Sequence, residues 1–404
     1  MSVPKVCFIN VNEYLSLKEK DKQLTYSGYK RSKVLQSFDK DLLKKNPIGA
    51  VNWMAELILS GALTQLLEKC VIFFMKNINI SNPNLPTYIL QEITLIHNLL
   101  DNYKGDVYAI ANNQIFRNHM TELISILALS DKQRVENRIR CRDEQFDINL
   151  LRDKMEADGK YINIFWKNGD DKMAYIPFNE FKYHIHKTYN REKAVFWISW
   201  ILELHKRSTK QKTPLLFAER PREGVNKRHH KYFVWLLWDI IIREAEDRDD
   251  DELCSQIYAI HKLYIKNFAK RHITSRLSYI LCAVLYITQT IPTIKYTKKI
   301  CTNYDVLTFI NIQINVVFKS ICNKYQVSKK RVEKKVFYKK VFPNLICEMD
   351  ENINIFSRKK RDIMRVKSYR SKVEKIKIKP PEPKPDIKYL EQVSKIANFQ
   401  YNRS

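Results

Sequence analysis

Glycine is almost absent from this chain, with 7 in 404 residues beside 13 prolines. Tight turns, loops that cradle phosphate and close strand crossings draw on glycine's freedom at positive φ. A chain this poor in glycine is therefore ill suited to a β-sandwich or a nucleotide-binding α/β sheet. Helices joined by short polar connections are expected. The hydrophobic content of 45% supplies apolar surface for two or three packed units.

Charge narrows the partners. Lysine and arginine number 71 against 44 acidic residues, a formal charge of +27, which favours phosphate-bearing or otherwise acidic partners. A Lys-, Ile- and Asn-rich composition is also what an AT-rich genome encodes. The cysteines (Cys7, Cys70, Cys141, Cys254, Cys282, Cys301, Cys322, Cys347) stand singly with no C-x-x-C pair, which fits reduced thiols in the cytoplasm or nucleus. The start, MSVPKVCFINVNEYLSLKEK, lacks the basic and apolar regions of a signal peptide. Apolar stretches such as Ile273 to Ile291 are broken by Thr274, Ser275, Arg276, Ser278, Thr288 and Gln289, so no membrane partner is expected.

The pattern along the chain predicts a mainly α, multi-helical fold with one small β-hairpin. Residues 1–45 are charged and weakly periodic and read as an arm or short helices. A helical unit spans 46–158. In it Asn46 caps a helix with Pro47 at its first position, and Ala50, Trp53, Met54, Leu57 and Ile58 follow at helical spacing. Gly61 ends or bends that helix, and Leu63 to Lys76 completes a hairpin over 47–76. Further helical patterns cover Pro86 to Asp101, Val107 to Leu129 and Lys132 to Ala157. Within 159–178, Tyr161 to Trp166 and Met173 to Phe178 flank an Asn168-Gly169 turn and read as the β-hairpin. A second helical unit, 179–325, includes Arg191 to Lys206, Lys231 to Glu246, further helices to Ile291 and a last one over Tyr304 to Tyr325, with a basic loop at 207–230. Residues 326–379 form a basic helical region. The Pro-rich linker PPEPKP and a short amphipathic segment, Ile387 to Phe399, occupy 380–404. The matching openings Ala50-Val51-Asn52-Trp53 and Ala194-Val195-Phe196-Trp197 raise the question of a duplicated helical unit.

The stretch GAVNWMAELILSGALTQLLEKCVIFFMKNINISNPNL, Gly49 to Leu85, carries Ala50, Trp53, Ala55, Leu57, Gly61, Val71, Phe73, Ile78, Ile80, Asn82 and Pro83. In that order they resemble the helical C-terminal collar of the MgsA/RarA ATPases, relatives of the clamp loaders. The chain is also similar to proteins of large DNA viruses. The resemblance covers under a tenth of the chain, and it implies helix packing and self-association or protein contact through the N-terminal helical unit, not catalysis. The ATPase module itself is missing, since no G-x-x-x-x-G-K-[ST] occurs.

Few side chains stand in a pattern that could carry chemistry. Trp53, Trp197 and Trp235, with Leu57 and Gly61, sit in apolar helical patterns and are expected in the core, as are Trp200 and Trp238. His184-x-His186 and His229-His230 lack a third ligand at zinc spacing, so no metal or other cofactor is expected. The acidic run Asp247 to Glu252 reads as a solvated helix terminus. No nucleophile context is visible, and no catalytic residue is assigned.

Two basic regions remain. Lys329, Lys330, Arg331, Lys334, Lys335, Lys339 and Lys340 interleave with Phe337 and Tyr338, and Arg358, Lys359, Lys360 and Arg361 begin a second cluster. Cations neutralise phosphates and rings stack on exposed bases, so this is the principal candidate for nucleic-acid binding without sequence preference. The loop adds Lys210, Lys212, Arg220, Arg222, Lys227 and Arg228. The expected function is a non-catalytic, nucleic-acid-associated helical protein, an assembly factor of viral replication or genome handling. Virion structural protein and cryptic enzyme stay open as other classes.

Overall fold

The computed structural model describes residues 24–134, 139, 141, 146, 151–289, 300, 301 and 303–341, with side chains as far as 323. Among them are twelve α-helices and no strand; the only β pairing is an isolated bridge between Leu24 and Lys30. The predicted helical class therefore holds. The helices fall into two compact units assembled from separated segments: 1–66, 99–128 and 304–404 in one, 67–98 and 129–303 in the other.

In the first unit, α1 (Arg31–Leu43) buries Val34, Phe38 and Leu42, one residue per turn, against α2 (Pro47–Leu59). Asn46 accepts a hydrogen bond from the Gly49 N–H at 3.1 Å, and Pro47 opens the helix, as the cap pattern predicted. The same corner ties the two helices together, since the Trp53 indole N–H donates to Asp41 at 2.7 Å. Ahead of α1, the turn at Ser27 donates from its N–H and hydroxyl to the Glu56 carboxylate, both at 2.7 Å. So the segment read as an arm or short helices contains a docked helix.

Gly61 ends α2 at φ +65, with its N–H on Ile58 O and the Ala62 N–H on Leu57 O, each at 2.9 Å. This pairing satisfies the last carbonyls and needs a left-handed residue. A Cβ at Gly61 would also run into the Tyr108 ring. Gly61→Ala is therefore expected to lower folding stability by roughly 1–3 kcal/mol, read as a drop in urea midpoint. An unchanged midpoint would contradict this account of the turn. The stretch read as a 47–76 hairpin passes from the first unit to the second within α3 (Leu63–Asn77).

The first unit is completed by the end of α4 (Leu85–Asn102), by α5 (Gln114–Leu129) and by α12 (Tyr304–Val341), which packs on α2. Leu307, Ile310, Ile314, Val317, Phe318 and Ile321 form its buried stripe. Within that stripe Asn315 accepts from buried Arg117 at 2.7 Å and donates to Gln114 at 2.8 Å, and the Arg117 guanidinium lies 4.3 Å over the Phe318 ring. Residues Tyr304–Asn323 of α12 are long and apolar enough to cross a membrane by length and composition. Of that apolar window 39% is buried inside the structure, and Asn315 with its bonds to Arg117 and Gln114 lies within it.

The second unit is organised around α11 (Leu277–Thr288), every residue of which is buried. A helix apolar on all sides must be surrounded, and α6 (Tyr175–His186), α7 (Arg191–Lys210), α8 (Val234–Glu246) and α9 (Asp251–Ile265) pack against it, with the single turn α10 (His272–Ser275) leading in. Trp197, Trp235 and Trp238 are fully buried and Trp200 nearly so. Asp250 caps α9 through the Leu253 N–H, which places the acidic run at a helix start. The echo between α2 and α7 extends to their caps: Asn190 accepts from the Lys193 N–H as Asn46 does from Gly49, and each helix packs on the helix that precedes it.

The predicted β-hairpin over 161–178 is not formed. Ile162 accepts from the Phe165 and Trp166 N–H groups at 2.9 and 3.1 Å, a helical turn in place of a strand. Met173 to Phe178 forms a 3-10 turn, Lys172–Ala174, running into α6. Pro177 lies in the first turn of that helix, where its missing N–H removes no helix bond. The alternation of Ala174, Ile176 and Phe178 coincides over so short a run with the α6 stripe Phe178, Phe181 and Ile185. Half of the predicted helix over 132–157 and all of the Pro-rich terminus, 380–404, lie outside the described residues.

Candidate nucleic-acid interface

The long connection between α7 and α8 is fastened before it can present anything. Asp170 and Arg220, both buried, pair through two bonds of 2.8 and 2.7 Å. Asp170 also accepts from the Lys167 and Ala218 N–H groups, each at 2.9 Å, and Asp239 lies 3.1 Å from the Arg220 Nε. Burial pushes the Asp170 carboxyl up, but the bond to Arg220, the two backbone N–H groups and the Arg220 charge together hold it below the usual carboxylate range. One residue on, the Asp171 N–H donates to Leu216 O at 2.9 Å. Arg222 is held by Asp239 and lies over the Trp235 ring. Of the loop cations predicted to track phosphate, Arg220 and Arg222 are thus built into the body, whereas Lys210, Lys212, Lys227 and Arg228 are exposed.

The end of α7 supplies the cleft. Lys212 takes the left-handed conformation, φ 63, with its N–H on Thr209 O and the Thr213 N–H on Ser208 O at 2.9 Å, the same helix-ending pairing that Gly61 makes. In this glycine-poor chain a lysine fills that position. Between it and the fastened segment opens a cavity of ≈ 380 Å³ whose walls are His205, Thr209, Lys212, Pro214, Leu215, Leu216, Lys231, Tyr232 and Lys270. Lys212, Lys231 and Lys270 are exposed, and neither Asp nor Glu lines the cavity. Its rings are braced from behind, His205 by Phe233 at 5.0 Å and Tyr232 by a stacked His229 at 5.4 Å. Burial, with Lys270's charge, lowers the His205 imidazole below its ordinary value and keeps it neutral near pH 7.

Lys270, Tyr232 and His205 are members that sequence reasoning did not single out. They come from three separate places along the chain, and nothing local marks them. The principal basic cluster, Lys329 to Lys340, lies on the helical backbone of α12; Arg358 to Arg361 lies outside the described residues.

The histidine pairs diverge. His184 lies 3.6 Å from Glu180, while His186 meets Glu244 at 3.1 Å, because positions two apart on a helix leave on different sides. Glu244 is shared with Lys182 at 2.6 Å and Arg248 at 3.2 Å. His230 bonds Val225 O at 2.9 Å while its neighbour stacks on Tyr232. Among the described residues no group of three metal-ligating side chains converges.

Buried imidazoles make the second unit sensitive to acid. Burial lowers His184 and His272 to about 4 and His261 to about 3, against 6.5 for the ordinary group. The unfolded chain therefore takes up protons first as pH falls, so stability is full above about 6.5 and declines between there and about 4. The urea midpoint is expected to be lower at pH 5 than at pH 7.5. A midpoint that is flat over this window would contradict the burial of these rings.

No protein-family profile, no curated protein and no solved structure matches this chain.

Proposed function

We propose that the protein is a non-catalytic nucleic-acid-binding factor that holds the phosphate backbone without reading sequence. The observation that carries this is the cleft in the second unit, where Lys212, Lys231 and Lys270 converge with no carboxylate among the lining residues. A structural patch of surface lysines is ordinarily interspersed with acids, whereas an unopposed cluster concentrates positive potential and releases counterions when phosphate replaces them. The basic stretch Lys329 to Lys340, in a chain of charge +27, is a second such region, on the first unit. Protein contacts through the N-terminal helices rest on the local resemblance of Gly49 to Leu85, and a place in viral replication or genome handling rests on the similarity to proteins of large DNA viruses and the Lys-, Ile- and Asn-rich composition.

The test is the triple variant Lys212→Gln, Lys231→Gln, Lys270→Gln, assayed on a labelled oligonucleotide. Affinity at about 100 mM salt is expected to fall at least about ten-fold, and the slope of log K against log salt to flatten by roughly 2–3, near one per lost phosphate contact. Equal affinity and slope in the variant would remove the cleft from the interface.

A further inference from the structure

The cleft is not only cationic. Pro214, Leu215 and Leu216 give it an apolar floor, Tyr232 and His205 give it rings, and the lysines stand around them. A phosphate alone has no use for such a floor. A paired base cannot use it either, because its faces are stacked and its edge is bonded within the duplex. An unpaired nucleotide has both a flat apolar face and an adjacent phosphate. The cavity, ≈ 380 Å³, falls in the range of about 300–1,000 Å³ over which small organic ligands are bound. The walls are also set in advance: the Asp171 N–H holds the Leu216 backbone carbonyl, and the braced rings need not reorganise to receive a base.

We propose that this cleft seats a single unpaired nucleotide of a bound strand, its base against Tyr232 and the Leu215–Leu216 floor and its phosphate among Lys212, Lys231 and Lys270. The inference rests on the phosphate-binding reading above and adds to it a preference for single strands, or for frayed ends, over closed duplex. The neutral His205 ring suits the role, since it lets a base approach without setting a further charge against it.

The experiment measures the full chain on fluorescein-labelled oligo-deoxythymidylate and on a duplex of equal length, with thymidine monophosphate and inorganic phosphate as competitors. Single strand is expected to bind at least about five-fold tighter than duplex, the lower end of what one base stacked on an aromatic ring contributes. Thymidine monophosphate should compete at lower concentration than inorganic phosphate. Tyr232→Leu should shrink the strand preference, and Leu216→Ser should do the same at a side chain that is 68% exposed and so safe for folding. Lys212→Gly relieves a left-handed lysine, so it should hold or raise the urea midpoint while weakening both strand forms. Equal affinity for the two strand forms, equal competition by the two anions, or an unchanged preference in both Tyr232→Leu and Leu216→Ser would overturn the nucleotide seat while leaving phosphate binding standing. No binding of either strand form would instead overturn the phosphate-binding reading beneath it.

Discussion

Asp170→Asn is expected to cost roughly 3 kcal/mol of folding stability, the lower end of the range for leaving a buried charge without its partner, because Asp239 still faces the Arg220 Nε at 3.1 Å. The Arg220 guanidinium it faces is 1% exposed, and Asp170 also holds the Lys167 and Ala218 N–H groups that close the two connections against each other. Asparagine keeps one acceptor and turns an amide against donors. Because the fault is a buried charge that Asp239 compensates only in part, the double variant Asp170→Asn, Arg220→Met is expected to lose less than the two single losses added together. Urea unfolding of the four proteins measures this; a single-variant loss below about 1 kcal/mol would mean the pair does not fasten the loop. The pH dependence has the same sign as that of the buried imidazoles. Asp170's folded pKa lies below its unfolded value, so its contribution is present above the ordinary carboxylate range and is lost as pH falls through the depressed value.

Ending the chain at Asn323 is expected to lower nucleic-acid affinity about a hundred-fold or more at 50–100 mM salt. The truncation removes Lys329, Lys330, Arg331, Lys334, Lys335, Lys339 and Lys340, which lie on the continuous helical backbone of α12. Contacts with six to ten phosphates can be worth about 10³–10⁵ in affinity across a modest change of salt, so losing a comparable set has an effect of similar order. The buried stripe of α12, Leu307 to Ile321, stays in the shortened chain, so its urea midpoint should match that of the full chain. A shortened protein that folds and binds as well as the full chain would assign the tail a role other than phosphate binding.

Local signals in the sequence were legible and distant ones were not. Asn46 and Pro47 mark a helix start and Gly61 its end because caps act within one turn, and the structure places all three in those roles. The tryptophans read as core for a comparable reason, since their helical spacing already aligns them with apolar neighbours. The hairpin over 161–178 misled because a run of six residues does not separate a period of two from one of 3.6, and Pro177 suits a first helical turn as well as a strand end. The loop arginines look alike in sequence, yet Arg220 meets Asp170 across 50 residues and leaves the surface. No local pattern announces such a pairing, or the arrival of Lys270 beside Lys212. Composition gave the sign of the chain's own charge; only the fold separates the cations facing solvent from those holding the body together.

The central claim is phosphate binding, and its most direct measurement is the affinity of the full chain for single- and double-stranded DNA and RNA across a salt series, beside the chain ending at Asn323. The account predicts tight binding at low salt that falls linearly in log K against log salt, with a slope of about −4 or steeper for the full chain and a shallower one for the shortened protein. Binding that is absent, or indifferent to salt and identical in the two proteins, would contradict it.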